Sequence, residues 1–308
     1  MVSIIVIYSI KDYLCACLDS IQEQTYSEFE VIIVDNSGER NFSQSIIERY
    51  PEIKLYSQEK NISYCEALNL GIEQSKGDFI LCLNDDVILD KGFIEEALQG
   101  FSIDSKIGMV SGKILRSDRK TLDSTGLFLS IWRTAKERGY GLKDKGQFEK
   151  EEYIFGVNGA VAFYRREMLE KIKIGEDYFD SDFHFFYEDL DIAWRAKRAG
   201  WKGYYIPSAV AYHVRGGTAR KNYGIDKPYA RTFLSDELHL DLIKNRYLTI
   251  IKNETCLDFL LHLPFMVLYD FVMWGYILLF KPNLMKIFLL NLYYLKKSLK
   301  KRFSPSIN

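Results

Sequence analysis

Apolar runs rich in β-branched residues alternate with helical patterns through the first hundred residues of this chain. Residues 3–8 predict a buried strand, and residues 13–24 carry apolar side chains at helical spacing. The alternation continues with strands predicted at 30–34, 53–56 and 79–83 and helices at 42–50 and 63–75. Strand–helix alternation predicts an α/β domain, in which a mostly parallel sheet has helices on both faces.

Two of the predicted strands end in acidic residues. Asp35 follows the strand 30–34, and Asn84-Asp85-Asp86 follows the strand 79–83. Ligands bind beside the carboxyl ends of parallel strands, so these residues mark a candidate site. Carboxylate and amide oxygens are ligands for Mg²⁺ or Mn²⁺, and a departing diphosphate needs such an ion. A turn is the competing interpretation, because Asn and Asp are common turn residues.

A second acidic cluster stands at the start of a predicted helix. Glu188, Asp189 and Asp191 lead into a helix predicted at 190–199. The helix dipole favours the ionised form of a carboxylate at this end, which suits a general base that accepts a proton from a hydroxyl. Helix capping by acidic residues is the alternative, and it accounts easily for one or two of the three carboxylates.

A histidine and several basic residues follow the extended segment 210–213. His213, as a neutral imidazole, would complete a metal site, with Arg215 and Arg220 near a diphosphate. The glycine-containing basic segment 214–228 predicts a flexible loop over the site. Most isolated histidines are neither metal ligands nor bases, so this assignment depends on support from other residues.

Composition and charge limit the partners and the compartment. The 308 residues carry a net charge of −1, which gives no overall reason to expect nucleic acid as a partner. The five cysteines form no metal-binding pattern, and their odd number predicts reduced thiols and a cytoplasmic catalytic domain. Residues 1–7 are apolar but lack the basic start of a signal peptide, and we interpret them as the first strand.

Residues 229–308 differ in character and predict a helical appendage. Helices are predicted at 235–252 and 284–299, and residues 259–280 are long and apolar enough to span a bilayer. Asp270 would cost about 2.5–3.5 kcal/mol in such a span. Apolar helices with a basic tail suit the surface of an anionic membrane, here the inner face of the plasma membrane. Packing on the catalytic domain or on a second subunit is an equally good interpretation.

The order of these segments resembles the inverting family 2 glycosyltransferases with the GT-A fold, over about residues 2–220. The segments that carry the resemblance are 2–6, 18–21, 24–26, 31–37, Asn61, 67–71, 77–78 and 84–86 in the first half and Phe179-Asp180, Phe186, 188–191, Arg195 and Gly200 in the second. Residues 213–218 and Lys244-Asn245-Arg246 further resemble the rhamnosyltransferase-like branch.

The resemblance implies a donor site for a nucleoside diphosphate sugar. Asp35 would hydrogen-bond the pyrimidine base, with Tyr8 and Ser9 nearby, and Asp85 would face the ribose or the sugar. The further residues implied to contact the donor are Asn61, Arg195 and Arg215. The segment Ile7-Tyr8-Ser9 is one residue shorter than is usual in the family, and Asn84 stands where many members have Asp.

The resemblance also implies the catalytic residues and the metal ligands. Asp189 would be the base that activates the acceptor, with Glu188 as the second choice. Asp86 would ligate Mg²⁺ or Mn²⁺, and His213 would be a further metal ligand or a diphosphate contact.

The resulting prediction is an enzyme with two parts. Residues 1–228 form a GT-A catalytic domain, with a nucleotide-binding half at 1–100 and an acceptor half at 101–228, and residues 229–308 form a helical appendage that could also join a homo-oligomer. The reaction is an inverting transfer of rhamnose or a hexose from a dTDP- or UDP-sugar to a cell-surface polysaccharide or lipid-linked glycan.

Two other functions compete with this prediction. A nucleotidyltransferase would share a pyrimidine-nucleotide fold but should carry a glycine-rich phosphate loop near the N-terminus, and residues 2–12 contain no glycine. A noncatalytic sugar-nucleotide-binding subunit would keep Asp35 but would not need Glu188 and Asp189.

Overall fold

The computed structural model describes residues 1–9, 11–37, 40–58, 60–215 and 235–303. Its first half consists of β1 (Val2–Tyr8), α1 (Lys11–Gln22), β2 (Phe29–Asp35), α2 (Arg40–Arg49), β3 (Lys54–Ser57), α3 (Tyr64–Glu73) and β4 (Phe79–Asn84). The predicted bounds of these elements differ from the observed ones by at most two residues at either end. The hydrophobic period therefore located every strand and helix of this half.

Local chemistry explains how α3 begins and how it packs. Its first turn has a capping box, in which Ser63 Oγ accepts from the N–H of Glu66 and the Glu66 carboxylate accepts from the N–H of Ser63. On the buried face of the helix, a β-carbon added at Gly71 would lie 2.4 Å from a methyl group of Ile5. Glycine is needed there because α3 lies so close to the central strand β1.

The second half contains shorter elements, which are β5 (Val87–Leu89), α4 (Phe93–Ile103), β6 (Ile107–Arg116), β7 (Leu122–Ser124), β8 (Leu127–Leu129), β9 (Ala135–Glu137), β10 (Glu152–Ile154), β11 (Val161–Arg165), α5 (Arg166–Lys171), α6 (Glu188–Arg198) and β12 (Lys202–His213). Strands β8 and β9 form a separate antiparallel hairpin. The extended segment 210–213 belongs to the longer strand β12, whose pairing with β6 is irregular between Ile206 and Val210. Pro207 lies in that interval and has no N–H to donate to the neighbouring strand.

The main sheet has the strand order β10-β12-β6-β11-β4-β1-β2-β3. Strands β4, β1, β2 and β3 are parallel neighbours, and β12 is parallel to β6. Strand β11 runs antiparallel between β4 and β6. One apolar cluster lies under α1 and α4 and another under α3 and α6, so helices cover both faces and the predicted α/β class is confirmed.

Three helices follow the sheet, namely α7 (Asp236–Asn253), α8 (Cys256–Phe280) and α9 (Ile287–Arg302), with a 3₁₀ turn at Pro282–Lys286. Lys252 of α7 is fully buried and forms ion pairs with Asp180 and Asp191. Lys301 of α9 pairs with Asp180 as well and with Asp182, at 2.5 Å from the latter. Ion pairs between buried carboxylates and lysines thus join the C-terminal helices to α6 and to the segment that precedes it.

Helix α8 contacts the rest of the protein through its polar side chains. Among the described residues it is the one helix long and apolar enough to cross a membrane, a criterion that core helices and signal sequences also meet. Its His262 contacts Arg133 at 2.9 Å, and its Asp270 accepts a hydrogen bond from Arg246 at 2.6 Å. The opposite face is apolar and open to solvent, with Phe271 77% exposed.

Candidate active site

A cavity of about 220 Å³ lies at the carboxyl edge of the central strands. It brings together residues from six separate parts of the chain. Its lining is formed by Tyr64, Asn84, Asp86, Glu137, Asn158, Gly159, Ala160, Phe185, Phe186, Glu188, Asp189, His213 and Arg215. Both acidic clusters singled out in the sequence therefore face one space, together with the predicted histidine and arginine.

The predicted nucleotide residues lie at the same edge of the sheet. Tyr8 ends β1 and is in register with Asp35, which ends β2. Asp85 accepts a hydrogen bond from the N–H of Ser9 at 2.6 Å, so the segment after β1 is joined to the segment after β4. Asn61 is exposed and does not line the cavity. Its role in donor binding remains a prediction.

Asp86 and His213 form the candidate metal site. Asp86 Oδ1 lies 3.3 Å from His213 Nε2, and His213 Nδ1 contacts Asp123 at 2.8 Å. A carboxylate on the far nitrogen fixes the ring and directs Nε2 toward Asp86, as in many metal-binding histidines. Within the described ranges no group of three or more His, Cys, Asp or Glu residues surrounds one point. The donor set therefore fits an ion that takes its remaining ligands from a diphosphate and water, as Mg²⁺ commonly does.

Charges around His213 stabilise its protonated form in the absence of a metal. Burial opposes the charge, but hydrogen bonds to Asp123 and Asp86 outweigh it and raise the pKa of His213 to about 9. Burial also opposes the charge of Asp123, yet the hydrogen bond from His213 and the Arg215 guanidinium at 2.5 Å hold its pKa well below the usual value. A metal bound at Nε2 would replace the proton, so this pocket suits a cation in either form.

Glu188 and Asp189 are placed by an unusual turn. Phe186 and Tyr187 have φ angles of 70° and 71°, and α6 begins immediately after them at Glu188. Asp189 Oδ2 accepts from the N–H of Gly159 at 3.3 Å, and its Oδ1 accepts from the N–H of Leu190 at 2.7 Å. The turn therefore directs the Asp189 carboxylate toward the loop that follows β10, on the wall of the cavity.

The carboxyl groups of Glu188 and Asp189 differ in pKa. Burial raises the pKa of Asp189 to about 6, although the backbone N–H groups that donate to this carboxylate oppose the shift. Burial and the charge of Asp189 raise the pKa of Glu188 to about 8. At neutral pH, Asp189 is therefore the ionised member of the pair and the better candidate for a base.

Sequence reasoning missed Glu137, a third carboxylate in the cavity. It ends β9, accepts from Asn158 Nδ2 at 2.8 Å and is also hydrogen-bonded to Ser124. Burial and the charge of Asp189 raise its pKa to about 8. In the sequence it stands between Lys136 and Arg138, where it looks like part of an exposed charged run, so no local signal distinguishes it.

Tyr64 and Asp123 were also missed. The Tyr64 hydroxyl donates to Asn84 Oδ1 at 2.8 Å and lies 3.2 Å from the carbonyl oxygen of Gly159. It thus joins the end of β4 to the loop that holds Asp189. Asp123 has no exposed surface and accepts from both His213 and Arg215.

The structure corrects the prediction for Arg195. Its side chain is 1% exposed and lies outside the cavity. Its guanidinium donates to Asp191 one helical turn earlier and to the carbonyl oxygens of Ile172 and Tyr178, at 2.5–2.9 Å. All of these partners belong to the fold, so Arg195 stabilises α6 and does not bind the donor. Arg215 does line the cavity, whereas Arg220 and most of the loop predicted at 214–228 lie outside the described residues.

Comparison with known proteins places the chain in a family. Residues 3–173, more than half of the chain, match the model described as Glycosyl transferase family 2. The amylovoran biosynthesis glycosyltransferase AmsB of Erwinia amylovora is 26% identical over 232 residues, which cover 71% of each chain. The N-acetylglucosaminyl-diphospho-decaprenol L-rhamnosyltransferase of Mycobacterium tuberculosis is 24% identical over 238 residues, 70% of this chain and 76% of that protein.

Other curated relatives are covered less fully, down to 22% of the length of glycosyltransferase GlyA of Streptococcus pneumoniae. Among solved structures, the mannosyltransferase PcManGT from Pyrobaculum calidifontis, in complex with GDP-Man and Mn²⁺, has a TM-score of 0.56 and 15% identity. That match covers 96% of this chain and 75% of the other, and it bears on the fold alone. With the family model and this architecture together, the chain belongs to glycosyl transferase family 2 and has the GT-A fold.

Proposed function

We propose that this glycosyltransferase is a metal-dependent inverting enzyme. It transfers rhamnose or a hexose from a dTDP- or UDP-sugar to a hydroxyl of a cell-surface polysaccharide or lipid-linked glycan. One observation carries the proposal: Asp86 and His213 face the same cavity as Asp189. Direct displacement of a diphosphate by a hydroxyl requires a cation beside the diphosphate and a base beside the hydroxyl, on opposite sides of one cavity.

Asp189 acts as the base in this mechanism. Its ionised carboxylate accepts the proton of the acceptor hydroxyl as the hydroxyl oxygen bonds to the anomeric carbon. The bond from that carbon to the donor phosphate breaks, and the electron pair leaves with the nucleoside diphosphate. Attack opposite the leaving group inverts the configuration of the sugar. Hydrogen bonds from Gly159 and Leu190 fix the direction of the carboxylate, which is the precondition for efficient proton transfer.

The donor binds along the edge formed by β1, β2 and β4. Asp35 accepts from the N–H and hydroxyl of Ser37 through one oxygen, at 3.0 and 2.7 Å, and we assign it to the base of the nucleotide. Tyr8 and Ser9 lie beside it, and Asp85 is assigned to the ribose or the sugar. Asp86 and His213 would hold Mg²⁺ or Mn²⁺, which supplies positive charge for the diphosphate, and Arg215 adds a second cation.

The mechanism is tested with Asp189→Asn, which keeps the shape of the side chain and removes the proton acceptor. We expect transfer to fall at least a hundredfold, the lower limit of a typical general-base contribution. Stabilisation by the donor with Mn²⁺ in a thermal-shift assay should remain, because donor binding precedes proton transfer. The assay also identifies the donor when UDP-, dTDP- and GDP-sugars are compared.

The matched control is Glu176→Gln, which removes an exposed acidic residue before α6 that does not line the cavity. Its turnover should stay close to that of the unmodified protein. Unchanged turnover in Asp189→Asn would refute the mechanism. Selective donor binding without any transfer in the unmodified protein would instead favour a noncatalytic sugar-nucleotide-binding subunit.

The free face of α8 provides the proposed contact with a membrane surface. Contacts of His262 and Phe265 with the β8–β9 hairpin, and of Asp270 and Trp274 with α7, extend over 13 residues, or about 18 Å of helix. A helix held against the rest of the protein over that length can lie along a bilayer but cannot cross it in this arrangement. Its outward side chains are apolar and include Leu257, Leu260, Leu261, Val267, Leu268, Phe271, Val272, Leu278 and Leu279. Such a face suits the interface of a lipid bilayer.

Vesicle flotation distinguishes membrane contact from self-association. The double variant Phe271→Glu/Leu279→Glu places charge on the outward face and should lose binding to vesicles of phosphatidylglycerol and phosphatidylcholine. Leu142→Glu is the matched control, because Leu142 is an exposed apolar residue far from α8 in the chain. A dimer that dissociates in the double variant, together with no vesicle binding by the unmodified protein, would assign the face to a second copy of the chain.

A further inference from the structure

Two consecutive residues before the proposed base adopt a left-handed backbone. Phe186 and Tyr187 both have φ near 70°, although neither is glycine. A left-handed conformation costs an ordinary residue roughly 1–2 kcal/mol, and such residues persist where the surrounding structure holds them. The contacts of this turn therefore determine whether α6 begins in the observed place.

Asn245 of α7 supplies those contacts. Its side-chain amide donates to the carbonyl oxygens of Phe185 and Phe186, at 2.8 and 2.9 Å. Only the NH₂ group of the amide can donate to two carbonyls, so the hydrogen bonds fix the orientation of the side chain. Asn245 has no exposed surface, and its own Oδ1 has no hydrogen-bond partner among the described residues.

The Asn245 amide donates hydrogen bonds to two carbonyl oxygens of the turn, while its own Oδ1 has no partner among the described residues. A buried unpaired acceptor costs about 1–3 kcal/mol. An apolar residue would avoid that cost but would leave the two carbonyl oxygens without these donors. The geometry is therefore better explained by a requirement of the turn than by the stability of α7 itself.

The turn is connected directly to the cavity. Phe185 and Phe186, whose carbonyls receive the two hydrogen bonds, line it together with Glu188 and Asp189. Asn245 itself does not line the cavity. Its two side-chain hydrogen bonds connect it to the cavity through the backbone of Phe185 and Phe186.

We infer that Asn245 is a positioning residue, which holds the left-handed turn in the conformation that directs Asp189 toward the acceptor hydroxyl. The inference rests on the proposed role of Asp189 as the base. Misplacement of a catalytic group by about 1 Å can reduce the rate roughly a hundredfold. Loss of the two donors should therefore lower turnover far more than it affects donor binding.

The test uses Asn245→Asp and Asn245→Ser. Aspartate keeps the size of the side chain but, when ionised, has no donor, whereas serine keeps one donor. We expect kcat to fall roughly tenfold to a hundredfold in Asn245→Asp and less in Asn245→Ser, with the KM for the donor within about twofold in both. Hydrogen–deuterium exchange should be faster for the backbone amides of 185–190 in the aspartate variant.

Thr249→Val is the matched control. Thr249 is fully buried on the same helix, and its hydroxyl donates to the main-chain carbonyl oxygen of Asn245 at 2.8 Å, so its removal leaves the side-chain amide of Asn245 in place. Its loss should change neither kcat nor exchange at 185–190. If the Asn245 variants match this control in kcat, or if exchange at 185–190 is unchanged, the inference is wrong. If Asp189→Asn retains turnover, the proposed base fails instead, and the exchange result still reports whether Asn245 holds the turn. Should the aspartate variant not fold, the serine variant supports the same comparison.

Discussion

The pH dependence of turnover distinguishes the two carboxylates at the start of α6. A base must be ionised, so activity should rise with pH through the pKa of whichever residue accepts the proton. That pKa is about 6 for Asp189 and about 8 for Glu188, because the charge of Asp189 adds to burial in the case of Glu188. The two assignments therefore predict profiles separated by about two pH units.

The difference is large in the measurable range. The pKa values of the protein without acceptor govern kcat/KM for the acceptor. With Asp189 as the base, kcat/KM at pH 5 should be about one tenth of its plateau, and at pH 7 about nine tenths. With Glu188 as the base, kcat/KM at pH 7 should still be only about one tenth of its plateau. The assay measures initial rates of nucleoside diphosphate release between about pH 5 and pH 9.5, at saturating donor and Mn²⁺ and at an acceptor concentration well below its KM.

Glu188→Gln provides the internal control. Glu188 is largely protonated below pH 7, so its replacement by a neutral side chain should leave the rising limb near pH 6. A limb near pH 8 in the unmodified protein that disappears in Glu188→Gln would transfer the role of base to Glu188. A flat profile from pH 5 to pH 7 would refute the assignment of Asp189.

Four further predictions test stability and surface binding. Lys252→Met should lower the free energy of unfolding by about 3 kcal/mol, measured in urea, because it removes the lysine that pairs with two buried aspartates; the loss lies at the lower end for a broken buried pair, since Asp180 keeps Lys301 and Asp191 keeps Arg195. The raised pKa values of the cavity carboxylates mean that the folded state holds protons which the unfolded state has released. Stability should therefore fall from pH 5 to pH 8 by about 3 kcal/mol for each of Glu137 and Glu188, and Glu137→Gln should reduce this slope in thermal denaturation. Tyr64→Phe should cost about 1 kcal/mol in the same assay. Vesicle binding should depend weakly on salt, because Lys297 and Lys301 form ion pairs with aspartates of the catalytic domain. Raising NaCl from low salt to 0.5 M shortens the electrostatic screening length about threefold. A steep loss of vesicle binding at 0.5 M NaCl would contradict this prediction.

The first half of the fold was predictable because its signals are local. Strands β1, β2 and β4 are largely apolar runs, and β2 and β4 end in the polar residues Asp35 and Asn84. Parallel pairing then brings the strand ends together, so the position of the donor edge follows from the order of elements. The pair Glu188 and Asp189 was found from its place before a helix and from its resemblance to the family.

The remaining features depend on contacts that no local pattern records. Glu137 reaches the cavity from a hairpin whose sequence resembles an exposed charged segment, and Asp123 is identified only by its contact with His213. Arg195 was assigned to the donor on the resemblance to the family alone. Its spacing of four residues from Asp191 was an equally available sign of a pair within the helix.

Helix α8 shows the same limit in another form. In the sequence, Asp270 argued against a membrane span because a carboxylate is costly in lipid. In the structure that carboxylate faces the domain and accepts from Arg246, so the outward face keeps its apolar character. A polar residue in an apolar segment can thus mark the docked side of a helix, and its direction cannot be read from hydropathy alone.

Arg246 also connects the proposed membrane face to the catalytic cavity. One nitrogen of its guanidinium donates to Asp270 on α8, and the other donates to the carbonyl oxygen of Trp132 at the tip of the β8–β9 hairpin. The base of that hairpin carries Glu137 into the cavity, and the next residue toward the N-terminus of α7, Asn245, holds the turn before Asp189. If α8 rests on a membrane, the distance and direction from the lipid surface to the base are therefore fixed. A fixed distance of this kind suits an acceptor whose sugar is carried on a lipid, because the lipid stays in the membrane while the sugar hydroxyl must lie beside Asp189.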